Sequence, residues 1–456
     1  MAIHTKVDPQ EVHDVLNKHM LTDGYDIVLD LEKSNTAYIY DAKSGKRYLD
    51  FFTFFASNPL GMNHPKLAND DFIQKIGKAA VNKPSNSDVY TEELAEFVEN
   101  FDRVGIPDYL PHAFFISGGA LAVENALKVA FDWKVQKNFE KGYREEKGHK
   151  VMHFDQAFHG RSGYTLSLTN TLPNKTKYFT KFDWPRVLNP AMTYPETPEH
   201  INAVEEKERK AIAQAERYFE MYKDDIACII IEPIQGEGGD NHFRLEFHQA
   251  LRELADEHEA LLIYDEVQTG VGLTGKFWAH EHYVKPDIMA FGKKMQTCGI
   301  LAGKRVDEIE TNCFHVSSRI NSTWGGNLVD MVRAGRILEI IEEENLVENA
   351  ATVGKYLQEK IHNLTDEFEY VTNPRGKGLF CAIDLPDTHS RDQVLKECIN
   401  NNLLILGCGT RSIRFRPPLT VKKEHVDEGI DIIERSVKSA MEKCPALKET
   451  KMAPAK

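Results

Sequence analysis

Four short segments put reactive or ligand-holding residues at the ends of apolar runs. In the first, Ile116-Ser117-Gly118-Gly119-Ala120 leads into a helical pattern. Backbone N–H groups at a helix start bind anions such as phosphate, and paired glycines let a ligand come close. A tight turn with no ligand would read the same way. In the second, Glu232 and Glu237 follow an apolar run and stand in the glycine-rich stretch Gln235-Gly236-Glu237-Gly238-Gly239. In the third, Asp265-Glu266 ends the run Leu261-Leu262-Ile263-Tyr264. A carboxylate so placed is partly desolvated and needs a cationic partner. A metal or a protonated heterocyclic nitrogen would serve; an acid capping the next loop is the plain alternative. In the fourth, Lys293 and Lys294 follow the run 287–291. A lysine at the mouth of a site loses its proton more easily and becomes an amine nucleophile.

These ends need a scaffold. Short apolar runs at 113–117, 150–154, 227–232, 261–267 and 287–291 alternate with helical patterns at 121–138, 201–222, 246–259 and 328–344. That alternation predicts βαβ units and a mainly parallel sheet flanked by helices, an α/β fold. Ligands on such sheets bind at the carboxyl ends of the strands, where all four segments lie. The C-terminal third changes character. Helical patterns at 350–364, 391–401 and 424–441 mix with β-type runs at 378–385, 403–406 and 412–415, which predicts a smaller α+β domain. The N-terminal segment has its own β pattern at 37–41 and 48–52. The expected division is 1–60 packing with the small domain, 61–345 as the large domain, 346–446 as the small one, and 447–456 as a frayed tail.

The 456 residues include 56 basic and 70 acidic side chains, a net charge of −14. No basic run suggests a nucleic-acid partner, and no apolar run reaches the roughly 18 residues of a membrane span. The seven cysteines are scattered, with no Cys-x-x-Cys pair, which argues against a disulfide framework and a structural metal site. With no apolar leader at the start, a reduced, cytoplasmic protein is expected. Asn174 and Asn321 head glycosylation-type tripeptides, coincidental in that setting. Gly270, Gly272 and Gly275 spell the dinucleotide fingerprint of an NAD-binding oxidoreductase, but they open no helix and no acid ends a following strand at the right distance. His280 and His282 lack the spacing and third ligand of a zinc site, so no metal is expected.

The four segments occur in the order seen in fold type I pyridoxal-phosphate enzymes. Phe158-His159-Gly160-Arg161, Thr323-Trp324-Gly325-Gly326-Asn327 and Arg414-Phe415-Arg416-Pro417 make the chain resemble the class III, or ω-, aminotransferases. Within that class, Phe52-Thr53-Phe54-Phe55 and Phe291-Gly292-Lys293-Lys294-Met295 resemble members acting on the ε-amine of L-lysine. The usual hydroxyl-bearing phosphate turn is replaced by Gly118-Gly119-Ala120-Leu121.

The resemblance implies pyridoxal 5′-phosphate as cofactor, held as a Schiff base by Lys293, with Lys294 the lesser candidate. It implies that Asp265 pairs with the ring nitrogen, Gln268 bonds the phenolic oxygen and Phe158 stacks on the ring. Gly119 and Ala120 would hold the phosphate, and Thr323 would reach the phosphate of a partner subunit, which makes a homodimer with shared sites. Arg161 would bind the distal carboxylate of either substrate, L-lysine or the 2-oxoglutarate/glutamate pair. Arg414 would bind the α-carboxylate of the oxo acid, and Glu237 would cover Arg414 when lysine enters. Ornithine or 4-aminobutyrate as the amine, and an aminomutase, are the alternatives. Phe54, Phe55 and Asn327 are candidates for setting chain length.

Overall fold

The computed structural model describes residues 6–443. Two short strands come first, β1 (Tyr38–Tyr40) and β2 (Arg47–Asp50). The large sheet follows with β3 (His112–Ile116), β4 (Lys150–Phe154), β5 (Arg186–Val187), β6 (Ile226–Ile231), β7 (Leu261–Asp265), β8 (Ile288–Phe291) and β9 (Cys298–Ala302). The C-terminal third adds β10 (Thr372–Lys377), β11 (Phe380–Asp384), β12 (Leu403–Leu404), β13 (Leu406–Cys408) and β14 (Ser412–Phe415).

The large sheet has the order β3-β9-β8-β7-β6-β4-β5. Strands β5 to β8 and β4 pair in parallel, while β9 runs antiparallel to both of its neighbours. The expectation of a mainly parallel sheet therefore holds, with one reversed strand that the sequence reading did not mark. Every residue of β6 and β7 is buried, as their uninterrupted apolar sequences require of strands covered on both faces. The helix Gly119–Glu140 covers one face through Val123, Ala126, Leu127, Ala130 and Trp133. The helices Pro198–Met221 and Leu245–Glu257 close the other face through Ala211, Ala215, Phe247 and Leu251.

In the C-terminal third, β10-β11-β14-β13 form an antiparallel sheet. The run 403–406, expected as one strand, is divided. Leu403–Leu404 joins β2 in parallel, and Leu406–Cys408 joins β14. Through β12 the C-terminal third thus completes the N-terminal sheet β1-β2-β12. Strand β10 was not anticipated because Asn373, Pro374, Arg375 and Gly376 suppress the β signal. The segment 447–456, expected to fray, lies outside the described residues. Among the described residues no helix is long and apolar enough to cross a membrane.

One local feature is costly. Thr53, Phe54, Phe55 and Ala56 all have left-handed φ, from 40° to 67°. Each such residue costs about 1–2 kcal/mol. Asp50 Oδ1 holds the turn by accepting from the Phe52 and Thr53 N–H groups, and Thr53 Oγ1 donates to the Arg416 carbonyl. The turn delivers Ser57 to the cavity at the strand ends and sets the Phe55 ring 5.9 Å from the Arg414 guanidinium carbon.

Candidate active site

The carboxyl ends of β6, β7 and β8 open into a cavity of about 500 Å³. Gly119, Ala120, Phe158, Glu237, Asp265, Gln268 and Lys293 all line it. Seven residues predicted from scattered segments are thus brought to one place.

Asp265 ends β7, is 5% exposed, and receives the Val267 N–H at 3.0 Å. Its other oxygen is 2.8 Å from His159 Nδ1. A histidine ring nitrogen thus stands at hydrogen-bond distance from the buried carboxylate. His159 lies in a recognised motif, but the sequence reading gave it no role. Its Nε2 has no hydrogen-bond partner among the described residues. Glu266, next in sequence, turns away and binds the Ala279 and His280 N–H groups and the Thr269 hydroxyl. Glu232 likewise serves the scaffold. Its two oxygens accept from the N–H groups of Phe158 and Gly236, which ties two lining loops together, and burial pushes its carboxyl up to about 7.

Lys293 follows β8 and Gly292 with a φ of 27°. Burial, with Arg414 and Arg416 nearby, pulls its ammonium down to about 8. Lys294 is also buried, but its Nζ donates to the Gln268 carbonyl and does not reach the cavity lining. Of the two lysines, Lys293, the one that motif position assigns, lines the cavity, and the lesser candidate Lys294 does not. Gln268 Oε1 accepts from Arg416 Nε at 3.2 Å and Nη2 at 3.1 Å, and lies 3.5 Å from Arg414 Nη1. Arg416 is itself held by Asp240 and lies over the Phe380 ring. Its role as the support for Gln268 escaped the sequence reading, although it stands in the same motif as Arg414.

Arg414, on β14, is 1% exposed and gives Nη2 to Glu237 Oε2 at 2.7 Å. Burial tends to raise the Glu237 carboxyl; Arg414 and Lys175 outweigh it and hold it below its usual range. Three predicted residues are not in the lining of this cavity: Arg414, which meets it through its lining partner Glu237, Arg161 and Thr323. Arg161 is exposed, follows the lining residue Gly160, and among the described residues makes no hydrogen bond or ion pair. Thr323 is exposed on a loop whose carbonyls bind Ser85 and Ser87. Of the chain-length candidates, Phe55 faces Arg414, Phe54 packs against Phe52, and Asn327 bonds Asp330 at a helix start.

The decoys resolve as packing. A Cβ on Gly270 would lie 2.5 Å from Trp278, and one on Gly275 would lie 3.0 Å from Ala351. His280 is bonded to Glu266 and Tyr109, and His282 to the Thr274 carbonyl. Among the described residues only His112, Asp307 and His315 cluster as metal ligands could. They lie away from the cavity lining, and His112 and Asp307 already pair at 2.9 Å.

The sequence model of class III aminotransferases matches residues 21–437. The chain belongs to the class III aminotransferases. It is 55% identical to the L-lysine-epsilon aminotransferase of Mycobacterium tuberculosis over 425 residues, 92% of this chain and 94% of that one. It is 52% identical to the L-lysine-epsilon aminotransferase of Amycolatopsis lactamdurans, over 95% and 96% of the two chains. The solved lysine aminotransferase of M. tuberculosis in the internal aldimine form superposes with a TM-score of 0.93 at 53% identity, covering 95% of this chain and all of that one.

This class III aminotransferase uses pyridoxal 5′-phosphate, and the cavity fits that group. The helix Gly119–Glu140 begins without a side-chain cap, so its first N–H groups are free for a phosphate where Gly119 and Ala120 line the cavity. A Cβ on Gly119 would lie 2.8 Å from Val267 Cγ1, so the backbone approaches as only glycine allows. Buried Asp265 offers an anion to a protonated ring nitrogen, and Lys293 offers an amine of lowered basicity.

Proposed function

We propose that this aminotransferase moves the ε-amino group of L-lysine to 2-oxoglutarate, giving 2-amino-6-oxohexanoate and L-glutamate. The aldehyde then closes on its own α-amine. The observation that carries this reading is the pair of buried Arg414 with half-buried Glu237 near Lys293, on a chain half-identical to lysine ε-aminotransferases along nearly its whole length.

Pyridoxal phosphate, when bound, supplies an electron sink for the pair left on a substrate carbon after proton loss. Lys293 would hold the cofactor, and its amine of lowered basicity would take and return the proton at the substrate's reacting carbon. Asp265 keeps the proton on the ring nitrogen, with His159 fixing its orientation. Gln268 bonds the phenolic oxygen, steadied by Arg416. Phe158 is the aromatic wall of the ring site. Gly119 and Ala120 hold the phosphate, and Thr323 reaches that of a partner subunit in a homodimer.

Two substrates share the pocket. Lysine presents a methylene chain near the cofactor and its carboxylate far off, where Arg161 takes it. 2-Oxoglutarate presents a carboxylate beside the reacting carbon, where Arg414 binds it bidentately. Glu237 neutralises Arg414 for the first and gives way for the second. A mutase has no use for that exchange, because it needs no second carboxylate anchor. The working units are residues 61–345 for the cofactor and residues 1–60 with 346–446 for Arg414; the pairing of β2 with β12 supports joining the last two. Six free cysteines among the described residues suit a reducing, cytoplasmic setting.

The test is the cofactor absorbance of the purified protein, followed with L-lysine, L-ornithine and 4-aminobutyrate separately and no oxo acid. Fastest loss with lysine is expected. Fastest loss with either other amine would overturn the substrate and keep the chemistry.

A further inference from the structure

Glu237 is held by two cations, and the carboxylate exchange described above uses only one of them. Its Oε2 accepts from Arg414; its Oε1 accepts from Lys175 Nζ. Lys175 ends the short turn Pro173–Lys175. Its ammonium also lies 5.4 Å from the centre of the Phe158 ring, the aromatic wall of the cavity. The Lys175 and Glu237 side chains are 20% and 24% exposed, and that of Arg414 only 2%. None of the three charges is fully in water, so their mutual balance matters.

We infer that Lys175 is a positioning residue for the exchange: it is the second pole on which Glu237 stays when the carboxylate of the oxo acid takes Arg414. This rests on the roles proposed above for Glu237 and Arg414. A half-buried carboxylate that leaves its only ionic partner keeps its desolvation cost with no compensation. With Lys175 present, Glu237 leaves one cation and keeps the other.

The charge count leads to the same asymmetry. With the oxo acid seated, the cluster holds Arg414 and Lys175 against Glu237 and the incoming carboxylate, and it is neutral. Without Lys175 it would hold one cation and two anions, which repels the acid. With the methylene chain of lysine in place, removal of Lys175 leaves the neutral Arg414–Glu237 pair. Loss of Lys175 should therefore harm the oxo-acid half-reaction and spare the amine half-reaction.

The experiment follows the two half-reactions separately in the holoenzyme, with Lys175→Met and Lys175→Arg. In Lys175→Met the apparent KM for 2-oxoglutarate should rise about tenfold or more, while that for L-lysine stays within about twofold. Lys175→Arg should restore most of the loss. In a Glu237→Gln background the same Lys175→Met change should raise the 2-oxoglutarate KM by less than about threefold, because the carboxylate it serves is gone. A rise confined to L-lysine would make Lys175 an anchor for that substrate's own carboxylate and would overturn the inference. So would an equal loss on both substrates, or no change. A wild-type protein that ignores L-lysine would instead refute the substrate assignment; the oxo-acid arm is still read after loading with L-glutamate.

Discussion

In the proposed reaction Lys293 is the residue on which the chemistry turns. Buried and beside two arginines, it titrates near 8 in the cofactor-free protein. Only the neutral amine attacks a carbonyl, so the reactive fraction grows as pH rises through that value. The rate of recombination with pyridoxal phosphate should rise with pH and level off above about 8. A rate that falls across this range would contradict the assignment. Lys293→Ala should lower turnover by more than about a thousandfold, while Lys294→Ala, whose side chain only bonds a carbonyl, should keep the cofactor covalently attached. The carboxylate pair makes a second prediction. In Glu237→Gln, Arg414 is unmasked, and the preference for L-lysine over L-glutamate in the amine half-reaction should fall by about tenfold or more. An unchanged ratio would remove Glu237 from substrate choice. Residue types were the most legible part of the sequence: Asp265 and Lys293 line one cavity, and Arg414 pairs with its lining residue Glu237. The division of labour within Asp265-Glu266 was not legible, because one acid enters the cavity and its neighbour caps a loop through contacts that are distant in sequence.

At the scale of elements, strand ends and one uncapped helix start build the cavity, and in the proposed reading that helix start takes the phosphate. The N-terminal turn of Gly119–Glu140 is pressed against Val267, where a Cβ on Gly119 would lie 2.8 Å from Cγ1. Gly119→Ala should therefore push the helix start away and weaken retention of pyridoxal phosphate by about tenfold. Val267→Ala in the same chain should recover most of that affinity, since it removes the clashing methyl groups. Dialysis followed by absorbance measures both. The strands β4, β6, β7 and β8 were readable because buried parallel strands carry continuous apolar runs. Strand β10 and the split of 403–406 were not, because polar residues and long-range pairing decide them. The left-handed turn at Thr53–Ala56 had no local signal at all. Its sequence has no glycine, and it is imposed by Asp50 and by the Arg416 carbonyl, far away in the chain.

At the scale of the molecule, Thr323 lies outside the cavity lining of its own chain. The loop around Thr323 pairs with the segment near Asn86, and exposed Val89, Tyr90 and Trp324 lie on these two segments. An apolar surface of this kind suits a second copy of the chain. Sedimentation should give twice the chain mass, and Thr323→Ala should keep that mass while loosening the cofactor. A fully active monomer would contradict the shared site. The central claim is that nitrogen leaves the far end of lysine and not its α-carbon. Purified protein with 2-oxoglutarate should be given L-lysine labelled with ¹⁵N at either the ε- or the α-position, and the glutamate formed analysed by mass. Label in glutamate only from the ε-position, with α-label retained in the cyclised product, is the predicted result. Glutamate labelled from the α-position would contradict it.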